Sequence, residues 1–266
     1  MKSMLPRLAT IGRCFFSITM IVFGLQHCVY AVFRTGLVFG PPWILRSSVF
    51  VAVIGIVLVL TGLGIATGYK PSLAGYVLAG LLLLYVVIIY DPRIAANIRN
   101  PGNWTSGAEL LCMCGAALVT AGMEPRTNTS VQATGPGKAP FAEVSRILYA
   151  LPLIVFGLQH FMYARFVATL VPAWIPARLF WAYFVGAAFF AASISLMAKI
   201  QAFLATALLG LMFFLWVVIV HVPRIALAFH NANEWTSGLV ALAMSGGALL
   251  LTNDLSNRAL RNRGSV

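Results

Sequence analysis

An all-α integral membrane protein of two parallel four-helix repeats, with eight transmembrane helices, is the fold class that three observations predict. The 266 residues are 61% hydrophobic and only 9% charged, where a soluble chain carries about 25% charged residues to solvate its surface. The apolar residues run on without strict alternation. In lipid every backbone N–H and C=O must be paired internally, so such runs select helices over a barrel. Four short motifs then recur in the same order in the two halves, the mark of a tandem duplication.

Eight apolar segments follow one another, at residues 11–33, 47–67, 73–90, 106–123, 146–167, 178–197, 202–221 and 235–251. Most approach the roughly 20 residues that a 30 Å hydrocarbon core requires; the fourth and eighth are shorter. The first follows Lys2, Arg7 and Arg13 and resembles a secretory signal, but the matching run from Arg146 lies mid-chain and no small-residue cleavage site follows. Residues 1–123 therefore form a first unit and 145–252 a second, joined by a Pro/Gly/Thr-rich linker at 124–144 and followed by a polar cytoplasmic tail at 253–266. Pro92 and Pro223, lacking an N–H, read as ends of the third and seventh helices.

The repeats fix the arrangement. VFGLQH stands at 22–27 and 155–160, PPWI at 41–44 answers PAWI at 172–175, PRIA stands at 92–95 and 223–226, and WTSG at 104–107 and 235–238. Four helices per unit is an even number, so both units enter the membrane from the same side and are related by a pseudo-two-fold axis along the membrane normal, unlike inverted repeats. Eleven of the eighteen Lys and Arg fall on the side of the termini, which the positive-inside rule assigns to the cytoplasm. All four motifs of each unit then converge near the outer face.

Several function classes drop out. The +12 charge is scattered singly between apolar runs and forms no basic face, so nucleic acid is not a partner; the lipid bilayer is. Cys14 and Cys28 are fourteen positions apart on one helix, roughly 21 Å, beyond disulfide reach. Cys112 and Cys114 point to different faces, no Cys is common to both units, and all four read as small buried residues. There is no P-loop, G-x-G-x-x-G or C-x-x-C motif.

What remains is a set of repeated polar and aromatic residues. His27 and His160, each preceded by a Gln (Gln26, Gln159), lie inside apolar segments, where an ionisable residue is costly and marks a site unless it serves a helix-to-helix hydrogen bond. As site residues they suit a proton relay, a quinone carbonyl, another ligand or, last, a metal or haem. Trp43, Trp174, Trp104 and Trp235 suit either headgroup anchoring or ligand contact. WTSG also suits a helix start in which Thr or Ser accepts from the free amides. Arg93 and Arg224 meet lipid phosphate, a helix C-terminus or a ligand.

The string GLQHFMYARFVATLVPAWIPARLFWAYFVGAA, then HVPRIA, then NEWTSGLVALAMSGGALLL, resembles the DoxX-like family of small four-helix membrane proteins. The second unit is the closer match. The first departs from it at Leu45, where Pro176 stands in the second, and at Gly102 and Asn103, where Asn233 and Glu234 complete NEW. The resemblance covers nearly the whole chain apart from linker and tail. It implies membrane-bound redox or assembly work in the bacterial cytoplasmic (inner) membrane, since similar proteins include a subunit of thiosulfate:quinone oxidoreductase and a methylamine-utilisation protein that supports a periplasmic dehydrogenase.

The expectation that follows is a quinone-associated redox component. Its reactive set is His160, Arg224 and Glu234; Gln159, Trp174, Trp235, Gln26, His27, Trp43, Arg93 and Trp104 contact a quinone near the outer leaflet. A membrane or periplasmic oxidoreductase is the expected partner. The alternative is a non-catalytic assembly factor or docking subunit. A transporter ranks below both, because helices broken at mid-membrane are not evident.

Overall fold

The computed structural model describes residues 5–33, 47–123 and 141–264. Among them no strand occurs, and eight helical spans are long and apolar enough to cross a membrane. In chain order the helices are α1 (Leu5–Phe33), α2 (Ser48–Thr67), α3 (Pro71–Tyr85), α4 (Asp91–Ala96), α5 (Pro101–Ala121), α6 (Ala142–Met162), α7 (Ala164–Leu170), α8 (Arg178–Ala198), α9 (Ala202–Trp216), α10 (Val222–Leu227) and α11 (Ala232–Gly264). The stretch after Asn253 that composition assigns to a polar tail continues α11 as helix to Gly264. The linker residues 124–140 lie outside the described residues.

The two prolines do not end their helices. A π-turn, Val86–Tyr90, joins α3 to α4, and a second, Val217–His221, joins α9 to α10 at the matching place, so that each pair makes one span, Pro71–Ala96 and Ala202–Leu227. Pro92 and Pro223 sit in the first turn after the π-turn. There the absent N–H is tolerated, because the wider i→i+5 turn has already broken the regular ladder.

Helix starts are also earlier than the WTSG motif suggests. Asn100 caps α5 by accepting from the Gly102 N–H at 2.9 Å, and its repeat counterpart Asn231 accepts from the Asn233 N–H at 3.0 Å. Thr105 and Thr236, one turn in, instead donate back to the carbonyls of Pro101 and Ala232. The short turn between α2 and α3 uses the left-handed Gly68 and Lys70, and the one between α8 and α9 uses Lys199 and Gln201 at the same two places.

The spans close into a ring with two central members. α1 packs on α2 and α11, α6 packs on α8 and α5, α3 packs on α5, α9 packs on α11, and α5 meets α11 in the middle. Accordingly α5 and α11 are the most enclosed spans, 61% and 72% buried, against 22–44% for the rest. Glycines set the closest approaches. A Cβ on Gly12 of α1 would lie 2.8 Å from the Gly246 carbonyl oxygen of α11, and one on Gly246 would lie 2.7 Å from that of Gly12. The equivalent crossing in the other half pairs Gly115 of α5 with Ser145 of α6, 2.6 Å from a Cβ to the Ser145 oxygen. Small residues of this kind let backbones touch where lipid supplies no hydrophobic drive.

The core lies along these central contacts. Tyr149 is fully buried and its hydroxyl donates to the Met244 carbonyl at 2.6 Å. Arg146, also buried, donates to the carbonyls of Leu196 and Met197 at the end of α8 and to Glu143 at 2.5 Å, so its charge is met by a helix C-terminus and a carboxylate. Cys112 and Cys114 are buried as expected, with thiols bonded to the carbonyls of Tyr149 and Ala79; Cys14 is exposed and Cys28 half-buried, contrary to the reading of all four as buried.

Candidate functional site

A cavity of about 350 Å³ opens between α1, α2, α3 and α5, and α11 of the second unit closes it. That volume falls at the lower end of the range for small-molecule sites. Each wall follows from helix periodicity. On α5, Gly102, Thr105, Ser106 and Glu109 stand at i, i+3, i+4 and i+7, one face of the helix. On α11, Thr236, Ser237 and Val240 repeat the same spacing. Met20, Phe23, Leu58 and Leu82 supply apolar wall from α1, α2 and α3.

The polar groups have distinct origins. His27 lines the cavity, and its Nδ1 lies 2.7 Å from the Phe23 carbonyl one turn back. A carbonyl only accepts, so Nδ1 carries the proton and Nε2 is a bare acceptor; among the described residues it has no partner. Tyr85 and Tyr90 both face the cavity because the π-turn lies between them, and i→i+5 winding stacks residues that a regular helix would splay apart. The Arg93 guanidinium lies 5.7 Å from the Tyr90 ring centroid, which places it behind the wall rather than in it. Glu109 is eight residues inside α5, roughly 12 Å along the span. It has no hydrogen bond or ion pair among the described residues.

The second unit is built differently at the same positions. His160 keeps the hydrogen bond to its own helix, Nδ1 at 2.8 Å from the Phe156 carbonyl, but its ring packs 5.2 Å from Phe189 and 6.0 Å from Trp216 between centroids. Phe189, Phe213 and Trp216 contact one another and stand where the first unit has Leu58, Leu82 and Tyr85; Val240 stands where it has Glu109. Rings thus take up the space that the first unit leaves open. Gln159 is committed as well: its Nε2 donates to the Pro101 carbonyl at 2.9 Å and its Oε1 accepts from Thr105 at 2.8 Å, tying α6 to α5. Its counterpart Gln26 lines the cavity.

Arg224 and Glu234 come together, in a two-pronged ion pair at 2.8 and 2.7 Å between α10 and the start of α11. Neither lines the cavity, nor does His160, so the second-unit set is not assembled around the open space. Trp104 and Trp235 spend their only donor on backbone, both at 2.9 Å, to the carbonyls of Ile98 and Phe229. They brace the loops before α5 and α11. Trp174 is 73% exposed in the turn before α8, in keeping with an anchor. Trp43 lies outside the described residues.

Glu109, Tyr85, Tyr90, Thr105 and Ser106 are the site residues that sequence reasoning passes over. Glu109 carries a signal nonetheless, as the one acid within any of the eight apolar segments. A search for residues common to both units discards it, because its counterpart is Val240. No group of three or more metal-ligating side chains occurs among the described residues. No family model matches this chain, and neither a curated protein nor a solved structure matches it.

Proposed function

We propose that this chain is a quinone-associated redox component of a bacterial cytoplasmic membrane, with the quinone head held in the first-unit cavity. The observation that carries the reading is an intramembrane cavity whose apolar wall is met by Gln26, His27, Tyr85, Tyr90 and Glu109. The likeness of the repeated motifs to the DoxX-like unit supports the same class of work, and the excess of Lys and Arg on the side of the termini supports a cytoplasmic location for both ends.

A bound quinone would supply reversible two-electron, two-proton chemistry. The protein's part is to orient and to exclude water. Phe23, Leu58 and Leu82 exclude water from the ring, Tyr85 and Tyr90 flank it, and the Gln26 amide donates to a quinone oxygen. Glu109, with no ion pair among the described residues, holds or releases a proton at its carboxyl oxygens. His160, packed among rings, and the Arg224–Glu234 pair of the second unit act as scaffold. An oxidoreductase partner would dock on the face carrying the repeated motifs.

The test uses the protein's own second unit as template. Leu58→Phe with Leu82→Phe copies Phe189 and Phe213 into the cavity. Quinone is extracted from the purified wild type in mild detergent and identified by mass spectrometry, with decylubiquinone binding measured in parallel. The expected result is quinone in the wild type, lost in the double variant while its thermal unfolding stays cooperative. Neither copurifying quinone nor binding of the added analogue would overturn the proposal and leave the docking subunit as the reading.

A further inference from the structure

The wall of the first-unit cavity changes character with depth in the membrane. Close approaches between antiparallel spans set the levels. Thr19 Oγ1 of α1 lies 3.2 Å from the Leu239 carbonyl of α11, a Cβ on Gly75 of α3 would lie 2.7 Å from the Ala117 oxygen of α5, and one on Gly107 of α5 would lie 3.4 Å from Tyr90 Cβ. By these levels Gln26, Tyr90, Thr105, Ser106, Thr236 and Ser237 line the part of the cavity nearer the repeated motifs. Glu109 and Tyr85 stand at one level below them, and Leu82 and Met113 lie deeper. Glu109 is seven residues in from Gly102, which lines the cavity from the exposed first turn of α5. Roughly 10 Å of wall bearing hydroxyl and amide groups thus separates its Cα from that face.

On the other side packing closes the space. Met20, Leu82 and Met113 are between 1% and 6% exposed, and Phe16, Ile65, Leu78 and Ala117 behind them are fully buried. Cys112 turns away from the cavity, its thiol 3.4 Å from the Tyr149 carbonyl of α6. From Glu109 to the end of α5 at Ala121 is twelve residues, roughly 18 Å. A buried water needs two to four polar partners, and apolar packing supplies none.

We infer that Glu109 is the floor of a proton half-channel, exchanging its proton with the aqueous phase on the side of the repeated motifs and closed to the side of the Lys70 and Lys199 turns. An acid within a span is costly unless it meets a partner or a water-filled path, and Glu109 has no ion pair among the described residues. Hydroxyls and the water they hold both donate and accept, as proton passage requires. The other titratable groups on the described wall are His27 of α1 and Tyr85 and Tyr90 of α3; α2 and α11 contribute none. The second unit lacks the device, with Val240 at the position of Glu109. The half-channel adds a side to the proton role given to Glu109 in the quinone reading, so a ligand protonated there draws its protons from one face alone. No quinone enters the test, and its failure leaves the quinone site to its own experiment.

The test uses the full chain in sealed membrane vesicles of both orientations. With the four cysteines replaced by Ala, Ile98→Cys marks the motif face and Lys70→Cys the opposite one. A small impermeant methanethiosulfonate is expected to modify Glu109→Cys at least tenfold faster from the Ile98→Cys side, and Met113→Cys slowly from both. In the wild type, dicyclohexylcarbodiimide, which attacks protonated carboxyls in apolar surroundings, labels Glu109, read by peptide mass spectrometry. Labelling should fall at least threefold when the motif side alone is made alkaline, and hold when the opposite side is. Modification of Glu109→Cys from the Lys70→Cys side, equally from both or from neither, would overturn the half-channel. So would carbodiimide labelling that follows the pH of the opposite side or of neither.

Discussion

Position 103 and its counterpart 234 show how one residue redirects a repeated motif. Asn103 donates from Nδ2 to the Arg93 carbonyl at 3.2 Å, a contact with backbone, whereas Glu234 takes hold of the Arg224 guanidinium with both oxygens. Arg224 is 40% exposed and Glu234 16%, so the pair is screened on one side. Glu234→Gln is expected to cost about 1 kcal/mol of stability, as a fork-shaped, partly solvated pair should, read as a lowered unfolding temperature in detergent. Quinone binding should be unchanged, because neither residue lines the cavity. Loss of binding with stability intact would return the site to the second unit. The histidines teach the same lesson, since His27 and His160 make identical bonds to their own helices and differ only in what surrounds the rest of the ring.

Among the elements, the π-turns and the glycine crossings position the site. The π-turn at Val86–Tyr90 brings Tyr85 and Tyr90 to one face, and the one at Val217–His221 is its copy, although Trp216 packs on the His160 ring there. The crossing of α1 with α11 fixes the wall that closes the cavity. A Cβ on Gly246 would come within 2.6 Å of the Phe16 backbone nitrogen and 2.7 Å of the Gly12 oxygen, while one on Gly80 of α3 would meet nothing within 4 Å. Gly246→Val is therefore expected to destabilise by about 2–3 kcal/mol or more, as overpacking against backbone does. Gly80→Ala should be neutral or stabilising by up to about 1 kcal/mol through helix propensity. Thermal unfolding of both purified variants checks the pair, and equal effects would remove the crossing from the argument.

At the scale of the whole molecule, duplication has given two matching frames, and among the described residues the polar-lined cavity lies in the first. The ring of spans treats α1 against α11 and α6 against α5 alike, down to the Gly12–Gly246 and Ser145–Gly115 crossings. Parallel repeats place matching loops on the same side of the membrane. In a chain whose four cysteines are replaced by Ala, Ile98→Cys and Phe229→Cys, both exposed, should react with an impermeant thiol reagent from one side, and Lys70→Cys and Lys199→Cys from the other. Labelling of Ile98→Cys and Phe229→Cys from opposite sides would mean inverted units. The positive-inside count further expects the Lys70 and Lys199 turns to face the cytoplasm.

The sequence by itself determined the eight spans, the duplication and the polar motifs, because hydropathy adds up residue by residue along the chain and a repeat is found by matching strings. It missed the caps at Asn100 and Asn231 and the passage of helix beyond Pro92 and Pro223, since π-winding absorbs a missing N–H that propensity counts as a stop. Only the tertiary structure decided which unit holds open space. Leu58, Leu82, Tyr85 and Glu109 in one unit and Phe189, Phe213, Trp216 and Val240 in the other are scattered substitutions until three helices bring each set to one point. A cavity is the small difference between the room the backbones leave and the volume their side chains fill, and no single segment carries that difference.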